Sequence, residues 1–201
     1  MSLSPKRTAL LTIDLQNDFL HPEGAYGRAG QASPLAQALP GRIAPLAAAL
    51  KEKGGIYVSA QFTLVPGPGG EPLIAEHLKK LRPFLGRGDF APGSFGNALV
   101  DTLAPADFTV EKVAYSAFYQ TRLEYILRAM KIETLIVGGI VTNGGVASTL
   151  RDAHLRDIHT IMLTDGCAAF DPKVHAATLL SLATVTEQMT CAEALNLLEA
   201  A

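Results

Sequence analysis

TLIVGGIVTNGGVASTLRDA, residues 134–153, decides how the rest of the chain is read. Thr134 to Val137 is apolar and largely β-branched, and Gly138-Gly139 follows. Such a run predicts a strand buried on both faces. Thr142-Asn143-Gly144-Gly145 comes next, then Val146, Ala147, Thr149, Leu150 and Ala153 at helical spacing. A buried strand therefore ends, turns through small residues and starts a helix. The first N–H groups of a helix have no partner within it. At such a turn they can hold an anion or a developing oxyanion. A plain βα turn needs the same glycines for close packing, so the residues at other strand ends must decide between the two.

Those residues are found by working outward. Residues 8–13, TALLTI, form a short buried strand, and Asp14 follows at once. Residues 36–52 form an amphipathic helix with Ile43, Leu46, Ala47 and Leu50 on one face. Strand 56–60 leads to Gln61-Phe62, and strand 108–110 leads to Glu111-Lys112. Helices are expected at 121–130, 172–182 and 191–200, and strands at 160–163 and 183–186. The βαβα alternation predicts one α/β domain over 1–201: a doubly wound, mostly parallel six-stranded sheet with helices on both faces. In a 3-2-1-4-5 order the first and fourth strands are neighbours at the switch point, where ligands bind. Asp14, Gln61, Lys112 and the 142–145 turn then share one sheet edge. An acid, a lysine and backbone donors make an acid/base site. A turn-forming Asp14, a polar loop Gln61 and a solvated surface Lys112 are the bland alternatives. Asp18 reads as a solvated residue or a cap. The irregular segment 64–96, with a short helix at 72–82, reads as a substrate wall.

Composition narrows the classes. The 201 residues are 48% hydrophobic and carry a formal charge of −2, from 17 Lys+Arg against 19 Asp+Glu. No basic surplus suits nucleic acid or an anionic membrane, and no apolar run reaches the roughly 20 residues that span a bilayer. Cys167 and Cys191 form no CxxC pair, so a cytoplasmic location is expected. There is no GxxxxGK[ST], no GxGxxG after the first strand and no GxSxG. His21, His77, His154, His159 and His175 have no metal-ligand spacing, so neither metal nor cofactor is expected.

Three blocks, TALLTIDLQNDF (8–19), VEKVAYSAF (110–118) and GGIVTNGGVASTLRDA (138–153), resemble the isochorismatase-like, or cysteine hydrolase, superfamily. The resemblance implies an acid–lysine–cysteine triad. The acid falls on Asp14 and the lysine on Lys112, but the cysteine position is Gly145. It further implies a cis peptide at Ile140–Val141. A substrate site of Phe19, Gln61, Phe118, Tyr119, Val141, Thr142, Asn143 and Gly144 is expected, together with a homodimer or homotetramer. A glycine closes the thiol route to amide hydrolysis. Isochorismatases share that glycine and cleave an enol ether, with the acid protonating the vinyl carbon and water attacking the cation. Tyr57 to Gln61 and LKKLRPFLGRG (78–88) resemble their segments. Their Tyr-Ala-His is replaced here by Val141-Thr142-Asn143, and the chain has no Trp. The expected function is sulfur-free, Asp14/Lys112 hydrolysis of a small metabolite of the enol-ether type. An amidase of the cysteine hydrolase type acting on an amide or ureido substrate is the alternative, and a non-catalytic small-molecule binder is a third reading.

Overall fold

The computed structural model describes residues 3–201. In chain order the elements are β1 (Thr8–Ile13), α1 (Asn17–Leu20), α2 (Ala25–Arg28), α3 (Pro34–Gln37), α4 (Leu39–Glu52), β2 (Ile56–Phe62) and α5 (Glu76–Leu81). There follow β3 (Phe108–Lys112), α6 (Leu123–Ala129), β4 (Thr134–Ile140), α7 (Ala147–His154), β5 (His159–Ala168), α8 (Pro172–Leu182), β6 (Glu187–Met189) and α9 (Cys191–Glu199). The strands form one sheet in the order β3-β2-β1-β4-β5-β6. Every neighbouring pair is parallel. The doubly wound α/β sheet read from the sequence is the architecture observed, with β1 and β4 side at the switch point.

Alternation along each strand feeds two apolar layers. Leu10 and Ile136 pack with Ile43, Leu46 and Leu50 of α4 and Leu198 of α9. Leu11, Ile13 and Val137 pack on the other face with Leu123, Leu150 and Leu182 of α6, α7 and α8. All six residues of β1 are buried, as a central strand covered on both sides must be.

Several boundaries differ from the sequence reading: the strand expected at 160–163 runs to Ala168, and the helix expected at 72–82 spans only Glu76–Leu81. The sixth strand lies at Glu187–Met189 rather than 183–186. Residues 183–186 instead close α8: the N–H groups of Val185 and Thr186 both donate to Leu182 O. The expected helix 36–52 is divided at Ala38 into α3 and α4.

The end of β4 is built for close approach. The β4–β5 register slips between Val137 and Gly139. Gly139 has φ +122°, and a Cβ there would lie 2.1 Å from Ile13 O. Only glycine accommodates both conditions, so the end of β4 is pressed against the end of β1.

The segment after β1 is held by buried polar side chains. The Gln16 amide donates from Nε2 to Phe62 O (3.0 Å) and Asn97 O (2.8 Å), and its Oε1 accepts from Phe62 N (2.8 Å). Asp18 is not solvated; its carboxylate meets the start of a helix, the first N–H of α2. It is 2% exposed, and its carboxylate accepts from Ala25 N (2.8 Å) and Phe90 N (2.6 Å). It therefore ties the loops on either side to the sheet edge. Beside it Phe19, Tyr26, Phe62 and Phe90 form an aromatic cluster, with Phe19 4.6 Å from Phe90 and 4.8 Å from Tyr26 between ring centroids.

Candidate active site

A cavity of about 380 Å³ opens at the carboxyl ends of β1, β2, β3 and β4. Its floor is Asp14, Lys112 and Gly145, and its walls include Phe62, Tyr115 and Val141. The volume suits a small metabolite.

Asp14 leaves β1 in the left-handed region, φ +58°. Aspartate tolerates this conformation better than most residues, and the strain is of the kind found at functional sites. Its N–H donates to Ala60 O at 2.9 Å, which fixes the turn against β2. Lys112 is the last residue of β3 and is 1% exposed. Its Nζ donates to Asp14 Oδ2 at 2.8 Å and to Ala114 O at 3.1 Å, and lies 5.5 Å from the centre of the Phe62 ring. The other carboxylate oxygen, Asp14 Oδ1, is buried and has no protein partner. Burial raises the Asp14 carboxyl above its ordinary value, while the Lys112 ammonium pulls it down; burial is the larger effect.

Gly145 lies beside this pair. A Cβ at Gly145 would be 3.4 Å from Asp14 Oδ2, 3.1 Å from Ile140 O and 2.9 Å from Ile13 Cγ2. A side chain at 145 would thus start at the carboxylate, and its absence leaves that space open to the cavity. The Ile140–Val141 peptide is cis. After it, residues 142–146 make a wide π-type turn before α7. Gly144 N–H donates to Val141 O at 2.9 Å, inside the turn. Among the backbone donors of the 142–145 turn, the N–H of residue 144 is therefore already engaged. Thr149 Oγ1 donates to Gly145 O at 2.7 Å and accepts from Ala117 N at 3.0 Å. One hydroxyl thus joins the turn to the segment that carries Tyr115.

Asp14, Lys112, Gly145, Phe19 and Val141 come together around the cavity. Gln61, Phe118, Tyr119, Thr142, Asn143 and Gly144 do not line it. Strand parity separates Gln61 from the site: it pairs with Glu111, whereas Phe62 pairs with Lys112. The cavity wall is therefore Phe62. Phe118 is buried in the layer under α6 and α7, with the Arg156 guanidinium 4.8 Å from its ring. Tyr119 is 53% exposed and Asn143 is exposed. Thr142 shares a 2.8 Å hydrogen bond with His175 Nδ1, away from the carboxylate. Burial lowers the His175 pKa.

The sequence reading missed Arg82, Tyr115 and the α5 face. His77, Leu78, Leu81 and Arg82 line the cavity from the 64–96 segment, which was expected to supply a wall without named residues. The apolar spacing of Leu78 and Leu81 was the available signal. The two cysteines are buried thiols outside the cavity. Burial pushes Cys167 well up and Cys191 up to about 12, so neither offers a thiolate at neutral pH. Among the described residues, no three His, Cys, Asp or Glu side chains converge as metal ligands.

Comparison with known proteins agrees with this geometry. The isochorismatase domain model matches residues 8–194. A ureidoacrylate amidohydrolase RutB from Methylobacterium radiotolerans is 34% identical over 196 residues, covering 92% of this chain and 76% of that protein. A cysteine hydrolase structure from Pseudomonas syringae pv. phaseolicola superposes with a TM-score of 0.85 at 27% identity, covering 100% of this chain and 96% of that one. The nicotinamidase PncA structure from Bacillus subtilis gives 0.74 at 26%, covering 92% and 99%. With the sheet order, the Asp14–Lys112 pair and the turn at 142–146 all in place, the chain belongs to the isochorismatase family of hydrolases.

Proposed function

We propose that the protein hydrolyses a C–N bond in a small amide or ureido compound, with water as the attacking group and Asp14 as the proton carrier. The observation that carries this is the free oxygen of Asp14. Oδ1 is buried and unpaired, while Oδ2 is held by Lys112 and borders the space left by Gly145, 3.4 Å from where a Cβ would stand. A water in that space would give its proton to Asp14 as its oxygen bonds to the substrate carbonyl carbon. The Gly145 N–H is the remaining candidate donor to the oxyanion. Asp14 then returns the proton to the departing nitrogen as the C–N bond breaks. A carboxyl raised by burial suits both steps, since a useful acid/base has a pKa near the working pH. The choice of a C–N bond rests on the relatives named ureidoacrylate amidohydrolases, at 34–35% identity.

A second reading keeps the same residues and changes the bond. Gly145 supplies no nucleophile, which favours enol-ether cleavage: Asp14 protonates the vinyl carbon and water attacks the cation. A split substrate panel tests the two, with ureido acids and small amides on one side and enol ethers, including isochorismate, on the other. Turnover confined to the first half supports the C–N reading. Turnover confined to the second replaces it with the enol-ether reading. The free thiols fit a cytoplasmic compartment. Leu81, Val113, Tyr115 and Phe170 line the cavity yet are 49–70% exposed; this apolar rim supports assembly as a homodimer or homotetramer.

A further inference from the structure

The cavity has a charge that its own residues do not balance. Asp14 and Lys112 neutralise each other across 2.8 Å. The third fixed charge on the lining is Arg82, at the end of α5. It is half-buried, and among the described residues it takes part in no ion pair. Two arginines outside the cavity lining differ: Arg28 is bonded to Asp89, and Arg87 to Glu71.

Arg82 is also held in place from behind. Its Nε donates to Tyr26 Oη at 2.6 Å. Tyr26 is 3% exposed, and its ring stacks on Phe170 at 5.7 Å and 7° and meets Phe84 edge-on at 5.0 Å. Tyr115 lines the same cavity as this guanidinium. The Tyr26 hydroxyl orients Arg82 without discharging it. A guanidinium fixed through Nε retains donors on its terminal nitrogens, in the fork that matches a carboxylate. The surrounding walls are mostly apolar, which strengthens such a contact.

We infer that Arg82 is the anchor for a carboxylate on the substrate, so that the enzyme takes small monoanionic acids and discriminates against their neutral derivatives. The inference rests on the hydrolase reading above and adds the substrate class. One carboxylate brings the filled cavity to neutrality: Asp14 with Lys112, Arg82 with the ligand. A second carboxylate on the substrate would face Asp14 with no remaining cation. Arg82 acts on binding, and Asp14 on the chemistry.

The test measures binding by calorimetry for matched probes, a panel of monocarboxylates from N-carbamoyl-β-alanine to cinnamate, each against its methyl ester. Wild type is expected to bind at least one acid tenfold or more tightly than its ester. Arg82→Gln is expected to erase that preference, and Arg82→Lys to keep part of it. Ester affinity should move less than threefold, which a merely structural loss would not allow. A preference that survives in Arg82→Gln, or no acid bound better than its ester, overturns the inference. The readout is independent of turnover. Arg82-dependent acid binding with no hydrolysis would refute the hydrolase reading alone, and hydrolysis with no Arg82-dependent preference would refute this inference alone.

Discussion

Replacing one member of the Asp14–Lys112 pair should cost far more stability than replacing both. The Nζ–Oδ2 distance of 2.8 Å corresponds to a gross attraction of about 6 kcal/mol at an effective dielectric near 20. Both side chains are withdrawn from water, 1% and 9% exposed, and desolvation takes back several kcal/mol per ion. Lys112→Met leaves a buried carboxyl with neither oxygen paired, at a cost of about 3–5 kcal/mol. Asp14→Asn keeps the left-handed backbone that asparagine tolerates, but it leaves the ammonium without a counter-ion. The double variant removes both desolvation penalties and should lie near wild type or up to about 4 kcal/mol above it. The cycle therefore predicts a coupling of at least about 3 kcal/mol. Urea unfolding followed by circular dichroism reads it, because a chain with no tryptophan gives no indole signal. Additive single variants, with a coupling below about 0.5 kcal/mol, would show that the two groups do not form a buried pair and would refute the reasoning.

Three further expectations follow from the same geometry. Because burial raises Asp14 in the folded state, its contribution is fully favourable below the ordinary value of 3.8 and is lost as pH rises toward the folded value; the stability of Asp14→Asn relative to wild type should therefore climb with pH from about 4 upward, and a flat difference would contradict the shift. Gly145→Cys places a thiol beside Asp14, with a packing cost of about 1–2 kcal/mol from the 2.9 Å approach to Ile13; iodoacetamide should label Cys at 145 in the folded protein while Cys167 and Cys191 stay unlabelled, and equal labelling of wild type would refute the placement. Asp18→Ala strands the buried N–H groups of Ala25 and Phe90, about 1–3 kcal/mol each; a loss under about 1 kcal/mol in urea unfolding would show that the loops do not depend on it.

What was legible in the sequence was set by the backbone of the sheet. Buried strands read as apolar runs, and the one or two residues after each run mark the carboxyl edge. Asp14, Lys112 and the glycine turn were found that way because the switch point of a parallel sheet gathers those ends. What was not legible depended on register and on long-range packing. Gln61 and Phe62 are adjacent in sequence, but strand parity sends them to opposite faces, and the register that puts Phe62 opposite Lys112 is a tertiary fact. Asp18 looks like any loop acid until Ala25 and Phe90 fold over it. Arg82 follows a helix with no buried residue, and its position comes from Tyr26, fifty-six positions earlier in the chain. The shift of β6 arose because residues 183–186 have strand-like composition while their N–H groups finish α8.

The proposed hydrolysis proceeds without sulfur. Its most direct test compares turnover by a cysteine-free protein, Cys167→Ala with Cys191→Ala, and by Asp14→Asn, on whichever panel substrate wild type cleaves. The cysteine-free protein should keep its kcat within about twofold, while Asp14→Asn should lose about 10²–10⁴, the usual worth of a positioned acid/base. A folded cysteine-free protein that is inactive, or an Asp14→Asn that turns over at the wild-type rate, would contradict the sulfur-free route.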